Sequence, residues 1–139
     1  MPNLHPILVH FPIAILSLGL LFDLIALIMR SPELESAGWW SQLAGTVALA
    51  ATVASGLMAG KTVAVPDSAR ATLEYHEQLA FLTAALYSLL LLWRLAARTQ
   101  LPRKLQPLFL LLMVLALAAL WTGGFLGGEL VYRYGVGVR

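Results

Sequence analysis

The chain has 139 residues, of which 60% are hydrophobic and 12% charged, with a net charge of +2 and no cysteine; its mean hydropathy is +0.82. A soluble domain carries about 25% charged residues, so a water-covered globule is excluded and lipid must solvate most side chains. The small charge argues against a nucleic-acid partner, and the missing cysteine excludes disulfides, thiolate metal sites, thiol nucleophiles and covalent haem attachment.

Four apolar runs follow one another, at 7–29, 39–60, 79–97 and 108–126. Each is close to the ~20 residues that cross a ~30 Å hydrocarbon layer. The N-terminus lacks the basic start of a secretory leader, and its apolar run is too long for one. Period-two alternation is absent, so helices are the remaining way to satisfy the backbone in lipid. Between the first two runs lies Ser31-Pro32-Glu33-Leu34-Glu35-Ser36, with Ser36 as candidate N-cap. Pro66-Asp67-Ser68 breaks the chain before the third, and Ser68 is placed to cap a polar turn that leads into it. Pro102 and Pro107 interrupt helix between the third and fourth. The expectation is an all-α integral membrane four-helix bundle of up-down topology, one membrane domain over 1–139, with helices at about 7–29, 39–60, 73–97 and 108–128.

Loop charge sets the expected orientation. Arg30, Arg94, Arg98, Arg103 and Lys104 fall on one side, and Lys61, Arg70, Arg133 and Arg139 on the other. The dense 94–104 segment points to the cytoplasm, which leaves both termini periplasmic.

All three histidines, His5, His10 and His76, fall at the same membrane side. Imidazole suits iron, copper and zinc, and two histidines on different helices can supply both axial ligands of a haem. His10 and His76 are the expected ligands, on helices that run parallel and can be diagonal neighbours. His5 lies five residues from His10, about 140° around a helix, and Pro6 disfavours helix at His5; His5 is therefore expected as a supporting metal residue at the rim. The bland alternative is that these histidines bond loop backbone or lipid headgroups. HExxH spacing is absent, which argues against a zinc protease.

Glycines gather at the same end. Gly56 and Gly60 share a GxxxG spacing, as do Gly123 with Gly127 and Gly124 with Gly128. Such spacing lets helices approach closely, and Gly56, Gly124 and Gly127 are expected to make room for a cofactor beside the histidines. Asp23 is a carboxylate inside the first span, read either as a structural hydrogen-bonding group or as a proton relay. Trp39, Trp40, Trp93, Tyr75 and Tyr132 read as interfacial anchors. No nucleophile elbow, phosphate loop or dinucleotide fingerprint is present, so no enzymatic constellation is legible.

The stretch His5-Pro6-Ile7-Leu8-Val9-His10-Phe11-Pro12-Ile13-Ala14 resembles the opening motif of a bacterial family of small four-helix membrane proteins, catalogued as a domain of unknown function. The close, Gly127-Gly128-Glu129-Leu130-Val131-Tyr132-Arg133-Tyr134-Gly135-Val136-Gly137-Val138, resembles that family's GGELVYRHGVGV-like ending. Asp23 and His76 fall where its members carry an aspartate and a histidine. Tyr134 departs from the pattern, standing where such closes often show histidine. The resemblance implies a bacterial inner-membrane location, and relatives beside cytochrome-like domains imply electron transfer by association.

The leading expectation is therefore a membrane-embedded redox protein with histidine-ligated haem b, or copper or zinc in its place. It would work in the lipid bilayer with a redox protein partner or as a homo-oligomer. Two alternatives stand beside it: a cofactor-free membrane subunit packing through its glycine faces, and a small proton-coupled transporter using Asp23.

Overall fold

The computed structural model describes residues 4–97 and 102–138. Arg98 and Arg139, two of the charges counted above, lie outside those residues. The described chain is all-helical. A single turn, α1 (His5–Leu8), leads through Val9 into α2 (His10–Met29); α3 (Pro32–Ala59), α4 (Arg70–Ala96) and α5 (Gln106–Tyr132) follow, with a 3-10 turn at Asp67–Ala69. Four segments are long and apolar enough to cross a membrane: His5–Met29, Pro32–Ala59, Asp67–Ala96 and Gln106–Tyr132, of 25, 28, 30 and 27 residues. Each exceeds the ~20 residues a bilayer core requires, so their ends reach the headgroup layers.

The ends of these helices have local causes. α3 begins two turns earlier than expected, because Ser31 rather than Ser36 is its cap. The Ser31 hydroxyl accepts the Leu34 amide at 3.3 Å, Pro32 occupies the first turn, and Glu33 and Glu35 sit at the positive end of the helix. α4 also starts early, at Arg70, after the 3-10 turn; its N-cap is Ala69, with no side-chain cap, so the expected Ser68 cap is not formed. α5 stops where Gly135 takes φ +66, letting its amide bond the Val131 carbonyl and that of Val136 bond the Leu130 carbonyl.

α2 packs most closely on α3, and α4 on α5; α2 also meets α5 and α3 meets α4. The two hairpins thus close into an antiparallel bundle with α2 and α4 on one diagonal. Between α2 and α3 the approach is tight: a Cβ on Gly45 would fall 2.5 Å from Leu16 Cδ2, and one on Gly19 would fall 3.1 Å from Ser41 Cβ. The core runs through Leu16, Leu49, Tyr87, Phe109, Met113 and Leu120. Outside it, Ile28, Leu89 and Phe125 are exposed, as a lipid-facing surface requires. Trp93 is half-buried and packs edge-on against Phe109 at 5.7 Å, whereas Trp40, Tyr75 and Tyr132 face outward.

Candidate functional site: two imidazoles at one end of the bundle

His5 enters the bundle because its turn is helical after all. Pro6 sits in the first turn of α1, where its missing amide hydrogen would have had no helical acceptor. A second proline fixes the turn to the bundle. Pro12 cannot donate to the Leu8 carbonyl four residues back, and the Thr52 hydroxyl of α3 donates to that carbonyl instead, at 3.2 Å. Thr52 therefore docks the first turn on α3 beside the residues that hold His5.

The His5 Nδ1 lies 3.1 Å from the Thr52 carbonyl oxygen and 2.9 Å from Ser55 Oγ, while Ser55 Oγ itself donates to the Thr52 carbonyl at 2.8 Å. A carbonyl only accepts, so Nδ1 carries a proton and donates it to the Thr52 carbonyl. The same reasoning holds for His76 on α4, whose Nδ1 lies 2.8 Å from the Gly123 carbonyl of α5. Both rings are half-buried. Their centroids are 6.1 Å apart, with the planes at 81°. Two imidazoles from opposite hairpins thus meet, each oriented by a backbone carbonyl at its Nδ1, the arrangement that orients metal-binding histidines in general.

Glycine makes that approach feasible. A Cβ on Gly56 would lie 2.9 Å from His5 Cε1, and one on Gly127 would lie 3.1 Å from His76 Cε1. A Cβ on Gly124 would meet Ile13 Cδ1 instead, at 3.0 Å, and one on Gly128 would meet nothing within 4 Å. A cavity of about 150 Å³ opens beside the pair, lined by both histidines, by Gly56, Gly123, Gly124 and Gly127, and otherwise almost wholly by apolar side chains.

The expected ligand pair was His10 with His76; the structure brings His76 to His5 instead. His10 is exposed on the first turn of α2 and does not line the cavity. The ~140° between His5 and His10 means that turning one inward turns the other out. Of the carboxylates at this end, Glu74 accepts from Gln78 and Glu129 from Arg133, while Glu77 lines the cavity with the two rings. Tyr134 packs under the Arg133 guanidinium, 5.3 Å from its ring centroid, and is not part of the cavity wall.

Asp23 belongs to a separate cluster at the opposite end, and its partner is Arg94, counted above among the basic residues of one membrane side. Arg94 is 2% exposed. Its Nη1 donates to Asp23 Oδ2 at 2.7 Å and to Gln42 Oε1 at 3.1 Å; its Nη2 donates to Asp23 Oδ1 at 2.8 Å and to the Glu35 carbonyl at 3.1 Å. Planar guanidinium and carboxylate match in this two-point contact, and Gly38 leaves the space that the Asp23 carboxylate fills. The usable signal was depth: Asp23 and Arg94 both lie inside apolar runs, towards the C-terminal ends of parallel helices. With Arg94 buried, the one-charge margin between the two sides is gone, and loop charge no longer selects an orientation.

No curated protein and no solved structure matches the chain. A family model does: it is that of DUF2231, described as a predicted membrane protein, it matches residues 1–139, and the chain belongs to that family.

Proposed function

We propose that the protein is a membrane-embedded electron carrier in which His5 and His76 hold a redox metal, haem b being the form their chemistry fits best. The observation that carries this reading is the pair of imidazoles with centroids 6.1 Å apart, each Nδ1 engaged by a carbonyl. An imidazole nitrogen binds a first-row metal at about 2.0–2.1 Å. Adding about 1.1 Å from nitrogen to ring centre on each side, a metal shared in line by two rings sets their centroids about 6.3 Å apart. Twist about that line is unrestricted, so an interplanar angle of 81° is no obstacle. Among the described residues no third histidine, cysteine or carboxylate joins the pair. Zinc, which takes three or four protein ligands, is therefore poorly served, whereas a haem brings four nitrogens of its own and needs two.

The cavity is smaller than an ordinary cofactor pocket, which starts near ~300 Å³. Haem occupancy requires the apolar side chains around it to part. A bare copper ion between the two rings needs no such movement, and this favours copper as the second reading. Purified protein, expressed with ample haem and metals, distinguishes them. Haem gives a Soret band that shifts on dithionite reduction; copper gives one equivalent by elemental analysis with no Soret band. His5→Ala and His76→Ala should each abolish or sharply reduce the bound group, and His10→Ala should leave it in place. Wild-type protein with neither group overturns the proposal.

A further inference from the structure

A second cavity is at the other end of the bundle, about 310 Å³ beside the Asp23–Arg94 pair, and its wall carries three guanidiniums: Arg30, Arg94 and Arg103. Asp23 neutralises Arg94. Arg30 and Arg103 have no ion-pair partner among the described residues, and against them the wall sets only the Glu35 carboxylate. Arg30 ends α2 in the left-handed region, φ 55, a position where glycine is the easy residue; here that turn carries a cation at the cavity mouth. Ser31 and Pro32, at the N-terminus of α3, complete the rim and add the positive end of a long helix dipole.

We infer that this cavity binds a phosphate group at the membrane face, supplied by the headgroup of an anionic lipid. A cationic rim alone would suit any anion. The lipid is favoured because the cavity lies where spans meet the headgroup layer and its wall also carries apolar side chains, Leu27, Phe109 and Leu110. Leu27 is also 41% exposed on the outer surface, so an acyl chain has apolar surface to follow away from the rim. Basic pockets between membrane helices recognise phosphate headgroups in this manner. The site is independent of the histidine pair and stands or falls apart from it.

Native mass spectrometry of the purified full chain with phosphatidylglycerol or phosphatidylcholine tests the inference. Phosphatidylglycerol should be retained in preference, and Arg30→Gln/Arg103→Gln should weaken its retention about tenfold to thirtyfold, at roughly one tenfold step or less for each surface cation removed. Both arginines are exposed, so this variant keeps the buried Asp23–Arg94 pair; Arg133→Gln, at the opposite end, should change nothing. Inorganic phosphate, added to delipidated protein, gives the second arm. A rise in melting midpoint that the double variant loses supports the same site with free phosphate as its source. Equal retention of the two lipids with no response to phosphate, or undiminished phosphatidylglycerol retention by the double variant, overturns the inference.

Discussion

Arg94→Ala should be the most damaging single substitution in the interior. It removes four hydrogen bonds and strands the groups that received them: both Asp23 oxygens, Gln42 Oε1 and the Glu35 carbonyl. Asp23 is only 8% exposed, so water cannot replace the guanidinium without opening the bundle. Interhelical hydrogen bonds in membranes average ~0.6 kcal/mol each, so four give a floor near ~2.4 kcal/mol. Stranding one member of a buried ion pair costs about 3–5 kcal/mol, which sets the upper end. The loss expected is therefore about 2.5–5 kcal/mol, measured as unfolding by SDS in mixed micelles and followed by tryptophan fluorescence. Asp23→Leu/Arg94→Met removes both charges at once. Leucine keeps the branched end that fills the space beside Gly38, and neither charge is left stranded, so this variant should recover at least half of the loss. A double-mutant cycle should give a coupling above ~1.5 kcal/mol. Arg94→Ala within ~0.5 kcal/mol of the parent, or strictly additive single effects, refutes the reasoning.

Gly56→Ala should reduce the bound redox group more than it lowers stability, because the new methyl displaces the His5 ring; Gly128→Ala, which meets nothing within 4 Å, should do neither, and equal effects of the two would count against a glycine-shaped site. Thr52→Val removes the donor to the Leu8 carbonyl and should cost about 1–2 kcal/mol, with amide exchange faster in the first turn than in α2; unchanged exchange at 5–9 would show that the turn is held by other contacts. Cysteines at Ser68 and Lys104 should be labelled from opposite sides of the membrane. Labelling from one side would contradict four spans.

The four spans are legible in the sequence because lipid leaves little choice: a backbone that crosses it must be helical, and apolar length reports that directly. Helix ends are less legible. Polar first turns, such as Ser31-Pro32-Glu33 and 70–78 of α4, lie beyond the apolar run and carry no hydropathy signal, although the capping serine, proline and acid of α3 spell out its start. The histidine end stands out because three histidines and three glycine pairs share one side. Local reasoning points His10 rather than His5 towards His76, because it applies the helix-disrupting effect of Pro6 where a first turn tolerates proline. It also misplaces Arg94, because an arginine at the end of an apolar run reads the same whether it faces water or turns inward. Its partner, 71 residues away, is a tertiary fact that no local window contains.

The two imidazoles also have a thermodynamic consequence. His5 is held against α3 and His76 against α5, so the pair straddles the seam between the α2–α3 and α4–α5 hairpins. Hairpins that insert separately must still dock side by side. Whatever bridges the two rings binds the docked form and not the separated one, and by mass action it stabilises docking by about 2.7 kcal/mol at a hundredfold excess over its dissociation constant. The occupant of the seam would then be a clasp as well as a cargo, and the apo and loaded proteins would differ in how readily the two halves come apart.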